Sequence, residues 1–222
     1  MLTKTQYTVN QNLLQEAMNQ LPNDEFKMTL NSPNGNFFYD PWEIKDEYKN
    51  TVWAELLSSL KEPIGEARII ILKSTQGYHS HADIDDRFHL NIIGESCYLI
   101  DLDNQKLHKL ETDGCWQYMD AGRLHTAVNF GRTTRVQLVV RKLLNKSRLF
   151  EKVHVRLVSN LPRLDDSRFV FDNTISPWLN KANKRRIIDN FSYSPTHVEF
   201  DIEKQFVSEL EKLADSNFRI DK

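Results

Sequence analysis

The sequence contains few cysteines and no long apolar run. Cys97 and Cys115 are the only two cysteines in 222 residues, so we expect free, reduced thiols and no disulfide scaffold. No stretch approaches the eighteen or so apolar residues of a membrane-spanning helix, and the first residues lack the apolar segment of a secretory signal. The sequence therefore predicts a cytoplasmic protein that does not enter the membrane.

An excess of one charge is also missing. The 29 Lys and Arg residues and 31 Asp and Glu residues give a formal net charge of −2. Such a chain has no general field that would attract nucleic acid or an anionic membrane. With 40% hydrophobic and 27% charged residues the composition is that of a globular protein. We expect a small-molecule substrate, neutral or zwitterionic, as its partner.

Short apolar segments separated by turn residues fill the middle of the chain. They predict strands rather than helices, because each segment is short and no helical periodicity lies between them. This pattern favours a mainly β fold with flanking helices, namely a double-stranded β-helix or cupin-like jelly roll. The predicted strands cover residues 67–72, 88–93, 97–102, 106–110, 115–119, 125–130 and 136–143.

Helical periodicity appears on both sides of this strand-rich region. Residues 11–21 and 51–60 carry apolar side chains at helical spacing, the first segment ending before Pro22, and the first helix is expected to cover one face of the barrel. We predict that residues 1–150 form the β core with these N-terminal helices. Residues 151–222 are predicted to form a mostly helical extension packed on that core.

Within the extension, residues 156–158 are predicted as a strand and residues 161–166 as a loop. Ser176 followed by Pro177 is typical of a helix start, and that helix is expected to include Ile188. A later apolar stripe predicts one packed surface, formed by Ile202, Phe206, Leu210 and Leu213. The basic run is interpreted as a solvated helix face, with an acidic partner as the alternative, and consists of Lys181, Lys184, Arg185 and Arg186.

Residues 77–89 hold three imidazoles, three carboxylates and a guanidinium, a density that folding does not require. Residues two apart in an extended segment project from the same face, so His81 and Asp83 can aim at one point. They would provide two of the three ligands of a 2-His-1-carboxylate site, the arrangement of non-haem Fe(II) oxygenases. His125 is the leading candidate for the third ligand, because it follows a turn and opens another apolar strand. Arg135 lies ten residues further on, in the next strand.

These elements, in this order, resemble the aspartyl/asparaginyl β-hydroxylase family of 2-oxoglutarate oxygenases, which includes bacterial proline cis-hydroxylases. The resemblance extends from about residue 40 to residue 142. It implies a double-stranded β-helix that uses Fe(II) and the cosubstrate 2-oxoglutarate to hydroxylate an amino acid or amino-acid-derived small molecule, releasing succinate and CO2. The implied site residues are His81, Asp83 and His125 for iron, Arg135 for the far carboxylate of 2-oxoglutarate, and Arg87 and His89 lining the same pocket.

The residues also permit two other interpretations. His79 and His81 have the His-x-His form of a cupin metal site, and with His125 they could serve a dioxygenase or isomerase that does not use 2-oxoglutarate. A barrel that only binds a ligand is the remaining alternative. Arg135 separates the first hypothesis from the cupin enzyme, because a planar guanidinium makes two parallel bonds to a carboxylate. In the same strand Gln137 is expected to share the inward face with Arg135.

Overall fold

The computed structural model describes residues 2–21, 27–144, 151–184 and 187–222, and the side chain of Lys184 lies outside that description. Pro22, before which the first helix was predicted to end, lies outside the described residues, as do Arg185 and Arg186 of the basic run. The chain divides into two compact units. The barrel unit comprises Met1–His79, Asp85–Asp120 and His125–Leu144, and the C-terminal unit comprises Ser80–Ile84, Ala121–Leu124 and Asn145–Lys222.

The barrel unit is built from eleven described strands, all paired antiparallel. In chain order they are β1 (Leu2–Thr8), β2 (Lys27–Thr29), β3 (Asn31–Pro33), β4 (Trp42–Ile44), β5 (Ile64–Leu72), β6 (Arg87–Ile93), β7 (Cys97–Asp101), β8 (Lys106–Lys109), β9 (Cys115–Met119), β10 (His125–Asn129) and β11 (Arg135–Lys142). A six-stranded sheet has the order β1-β9-β6-β11-β5-β2, a three-stranded sheet has the order β10-β7-β8, and β3 pairs with β4. This is the predicted double-stranded β-helix, and all seven strands expected between residues 67 and 143 are confirmed.

Alternate residues of the six-stranded sheet face opposite environments. In β6 and β11, the register pairs Leu90 with Leu138 and His89 with Val139, so each strand separates an apolar series from a mostly polar one. The apolar series belongs to the main hydrophobic cluster and contains Phe88, Leu90, Ile92, Val136, Leu138 and Val140. We call this side the apolar face and the opposite side the polar face.

Two helices cover the apolar face, as predicted for the first of them. Helix α1 (Gln11–Asn19) begins after Asn10, whose side-chain oxygen accepts a hydrogen bond from the Leu13 amide at 2.9 Å. This cap satisfies one of the amides that a helix start leaves without an internal partner. Helix α2 is Val52–Ser58. The helices and the segment after α2 contribute to the same cluster through Leu14, Ala17, Val52, Trp53, Leu56, Leu57 and Leu60.

The segment after β5 connects the six-stranded sheet to the three-stranded one. Gly77 forms an isolated antiparallel bridge with Val128 of β10, and the Tyr78 amide donates to the Ala127 carbonyl at 3.0 Å. The Asn129 side chain joins the same region, since its amide donates to the Leu72 carbonyl at 3.0 Å. Both cysteines are free, as predicted. None of the helices in the described part of the chain is long and apolar enough to cross a membrane.

The C-terminal unit contains a sheet that the sequence analysis largely missed. Its strands are β12 (Lys152–Ser159), β13 (Ile188–Tyr193), β14 (His197–Glu203) and β15 (Phe218–Asp221), in the order β13-β14-β12-β15. Only β12 was predicted, as residues 156–158. The helices are α3 (Leu164–Val170), α4 (Ser176–Lys184) and α5 (Val207–Ala214), with a π-helical turn, Phe171–Ile175, joining α3 to α4.

Three local predictions for this unit were wrong. The expected loop at residues 161–166 is interrupted by the start of α3 at Leu164. Helix α4 does begin at Ser176, as predicted, but Ser176 is not its cap, because its φ of −59° and ψ of −41° continue the helical path of the preceding turn. Ile188 lies in β13, since the chain leaves α4 before it. The apolar stripe of residues 202–213 is buried as expected, but Ile202 belongs to β14 and only the later residues lie in helical turns.

Candidate functional site

His81 and Asp83 lie in the short segment that leads into β6. The Asp83 amide donates to the Ala121 carbonyl at 2.8 Å, which fixes the backbone beside the carboxylate. The two side chains project together, with His81 Nε2 3.9 Å from Asp83 Oδ2. This segment is not part of a named strand, yet the expected convergence of residues two apart is present.

His125 is the first residue of β10 and is 3% exposed. One ligand atom each from His81, Asp83 and His125 lie within 4.8 Å of one another, a spacing that suits a single metal ion. Two imidazoles and one carboxylate are the donor set of the facial triad, which leaves other coordination positions open. His79 is exposed and does not belong to this group, so the geometry does not favour the His-x-His alternative.

Arg135, Gln137 and His89 lie together on the polar face of the six-stranded sheet. All three are buried, at 2%, 0% and 7% exposure. The Arg135 guanidinium donates to the Gln137 side-chain oxygen, which confirms that the two residues share a face. Five of their polar atoms have no hydrogen-bond partner among the described residues: Arg135 Nε and Nη1, Gln137 Nε2, and His89 Nδ1 and Nε2.

Burial controls the charge states in this group. Loss of solvent lowers the pKa of His89 to about 3, and the positive charge of Arg135 acts in the same direction. The Gln137 side chain acts in the opposite direction and raises this pKa, although no contact between the two side chains meets hydrogen-bond geometry. Burial also lowers the pKa of Arg135, but a guanidinium starts so high that it stays charged. This part of the polar face thus presents the buried Arg135 cation beside the neutral imidazole of His89.

Unpartnered buried polar atoms normally cost stability, about 1–3 kcal/mol for each group. Among the described residues Arg135 pairs with no carboxylate, and its guanidinium donates to the neutral Gln137 side chain. A small anion with several acceptor oxygens would satisfy these donors, and the Arg135 fork matches a carboxylate. The group of Arg135, Gln137 and His89 could therefore bind a carboxylate, with the Arg135 guanidinium as the charged donor.

Arg87 occupies the same face but is already paired. Its guanidinium donates to the Asp85 carbonyl at 2.8 Å and contacts the Asp85 carboxylate, and both residues are buried. Arg141 Nε lies 2.5 Å from the other Asp85 oxygen, and its guanidinium stacks 4.0 Å from the Phe37 ring centroid. A pocket role for Arg87 stays a prediction, since these contacts hold the guanidinium on Asp85.

Some members of this arrangement were not singled out from the sequence. Asp85 and Arg141 form an ion cluster with Arg87, and strand alternation from Arg87 and Arg135 could have placed Arg141 on the polar face. Lys181 was assigned to a solvated helix face, but its ammonium lies 3.2 Å from Asp83 Oδ1. No local pattern could have shown that contact, because the two residues are 98 positions apart.

No family model and no curated protein matches the chain. Solved structures that match include a Pseudomonas putida prolyl-4-hydroxylase, 12% identical over 65% of this chain and 93% of that one, with a TM-score of 0.38. They also include CapF, solved with the inhibitor 3-isopropenyl-tropolone, 14% identical over 38% of this chain with a TM-score of 0.30. The match to CapF spans about a quarter of that chain, 26%.

Proposed function

We propose that the chain is an Fe(II)- and 2-oxoglutarate-dependent hydroxylase acting on an amino acid or an amino-acid-derived small molecule. The observation that carries the proposal is the buried Arg135, which pairs with no carboxylate among the described residues and lies beside Gln137 and His89, in a chain that also clusters His81, Asp83 and His125. The metal ligands alone would fit many enzymes. The buried guanidinium supports a cosubstrate that carries a carboxylate.

In this proposal His81, Asp83 and His125 hold the iron, and Arg135 binds the far carboxylate of 2-oxoglutarate through two parallel charge-assisted hydrogen bonds. When bound, iron and 2-oxoglutarate supply the oxidising chemistry, with conversion of 2-oxoglutarate to succinate and CO2. The resemblance to the aspartyl/asparaginyl β-hydroxylase family supports this assignment, because the residues on which the resemblance rests are the residues of the proposed site.

The polar face would orient the cosubstrate rather than react with it. His89 is neutral near pH 7, so it can donate one hydrogen bond and accept another without adding charge. Gln137 keeps Arg135 in place with its oxygen and can donate to the ligand with its nitrogen. Because the surroundings are buried, these bonds would be stronger than the same bonds in water.

The reaction is tested by succinate release from 2-oxoglutarate under aerobic conditions with added Fe(II) and ascorbate. A panel of amino acids and dipeptides, analysed by mass spectrometry, should contain a substrate that gains one oxygen in step with succinate. The matched control is His125→Ala, which should release none. Turnover restricted to a folded protein, a lipid or a nucleobase would contradict the substrate class while leaving the iron assignment intact.

A further inference from the structure

The two oxygens of the Asp83 carboxylate have different neighbours. Oδ1 accepts a hydrogen bond from the Lys181 ammonium at 3.2 Å. Oδ2 lies 3.9 Å from His81 Nε2. The Asp83 side chain is 13% exposed, whereas that of Lys181 is 42% exposed. A mostly buried proposed metal ligand is therefore paired with a cation that comes from a helix far along the chain.

Helix α4 holds Lys181 in a defined position. Its neighbours Trp178, Leu179 and Ala182 are 1%, 3% and 0% exposed, so the apolar side of the helix is well anchored in the C-terminal unit. A buried carboxylate without a cation is costly, because its charge loses water and gains no partner. Lys181 supplies that positive charge when no metal is bound.

We propose that Lys181 is an internal counter-ion of the metal site, which stabilises the metal-free protein and lowers the affinity of Asp83 for a divalent cation. The inference rests on the proposed function insofar as Asp83 is a metal ligand. A metal ion entering the site meets the ammonium as a like charge, and the carboxylate it needs is already neutralised. The repulsion by the ammonium and the neutralised carboxylate both weaken metal binding. Loss of the Lys181 charge should therefore tighten it.

Three variants separate charge from hydrogen bonding. Lys181→Met removes both, Lys181→Gln keeps a donor without charge, and Lys181→Arg keeps the charge. We expect calorimetric titration with Mn²⁺ to give about tenfold tighter binding for the Met and Gln variants than for the wild type. The Arg variant should bind Mn²⁺ with nearly the wild-type affinity. A tenfold change is about the size of effect that one partly screened charge can produce. In the metal-free state the melting temperature of the Met variant should be lower than that of the wild type, and saturating Mn²⁺ should narrow the difference.

Lys204→Met is the matched control. Lys204 pairs with Glu151 at 2.9 Å on the surface of the same unit, so the substitution removes an equal charge away from Asp83. Its Mn²⁺ affinity should equal that of the wild type. Unchanged or weaker Mn²⁺ binding by Lys181→Met and Lys181→Gln would overturn the proposal, weaker binding showing that Lys181 positions the carboxylate instead. If the wild type bound no Mn²⁺, the proposed metal site itself would be contradicted. That result differs from a failure of the Lys181 proposal, in which the wild type binds Mn²⁺ but the Lys181 variants do not bind it more tightly.

Discussion

The two faces of the six-stranded sheet are built from the same strands but have opposite characters. On the apolar face, Leu90 and Leu138 are fully buried against the helices, and every neighbour in the cluster is apolar. On the polar face, His89, Gln137 and Arg135 are nearly as buried, yet some of their polar atoms have no hydrogen-bond partner in the part of the chain that the structure describes. Burial therefore does not distinguish the two faces of this sheet, whereas the fraction of buried polar atoms with hydrogen-bond partners does.

The difference has a simple energetic meaning. Apolar burial stabilises the fold at about 25 cal/mol per Å² removed from water, whereas an unsatisfied buried polar group costs free energy. A face that keeps such groups is expected to recover the cost from a ligand. We therefore expect substitutions on the apolar face to change the free energy of unfolding, and substitutions on the polar face to change ligand binding.

The largest effect should come from the proposed metal ligands. Changing Asp83 or His125 to Ala is expected to abolish binding of a divalent metal, because each change removes one of the three donors that the described residues bring together. His79→Ala is the control and should retain most of the affinity. Calorimetry with Mn²⁺ measures this directly. If His79→Ala lost the metal and Asp83→Ala kept it, the His-x-His interpretation would be correct.

On the apolar face, Leu138→Ala is expected to lower the free energy of unfolding by about 2–5 kcal/mol, since it leaves a cavity in a packed core. Urea denaturation would give the value. The affinity of the folded protein for 2-oxoglutarate should be nearly unchanged. A Leu138→Ala protein with wild-type stability, or one that loses affinity for 2-oxoglutarate without losing stability, would contradict the difference between the two faces.

On the polar face, Arg135→Gln should weaken 2-oxoglutarate by about a hundredfold, the typical consequence of losing a bidentate charge-assisted pair. Its stability should not fall, because Nε and Nη1 of the wild-type guanidinium have no hydrogen-bond partner among the described residues. The Michaelis constant for 2-oxoglutarate in the succinate assay provides the measurement. If that constant stayed the same, Arg135 would not have this role.

The smallest effect concerns acid sensitivity. The pKa of His89 is about 3 in the folded protein, below its usual value near 6.5, so the unfolded chain binds the proton more readily. The stability tied to neutral His89 is fully present above pH 6.5 and declines as the pH falls towards 3. Between pH 6.5 and 5 the loss is about 2 kcal/mol.

His89→Leu removes this titration and should show a shallower decline over the same pH interval, measured by urea denaturation at each pH. Comparing the two proteins cancels the other groups that titrate there. Equal pH slopes for the wild type and the variant would indicate that His89 is not held neutral by burial.

Strand alternation was enough to predict much of the barrel unit. Short apolar segments gave the strands, and the two-residue period placed Gln137 beside Arg135 and brought His81 towards Asp83. These features depend on residues that are close in sequence. The contact of Lys181 with Asp83 joins residues 98 positions apart and could not be predicted from any local pattern.

The C-terminal unit shows where sequence patterns conflict. Ile202 and Phe206 are four residues apart, which suggested one helical stripe, but Val198, Phe200 and Ile202 alternate along β14 and are all buried. The shorter period was the correct one. In β13 only the first residue is buried, so that strand carries no apolar alternation to predict it.

The central hypothesis is that the polar face binds 2-oxoglutarate through Arg135 when a metal ion occupies the site formed by His81, Asp83 and His125. Calorimetric titration of 2-oxoglutarate into the Mn²⁺-loaded wild type, with Arg135→Gln and the metal-free wild type alongside, tests it without turnover. We predict one binding event per chain in the loaded wild type and binding that is at least about a hundredfold weaker in Arg135→Gln, with weaker binding also in the metal-free protein. No binding by the loaded wild type, or equal affinity in Arg135→Gln, would contradict it.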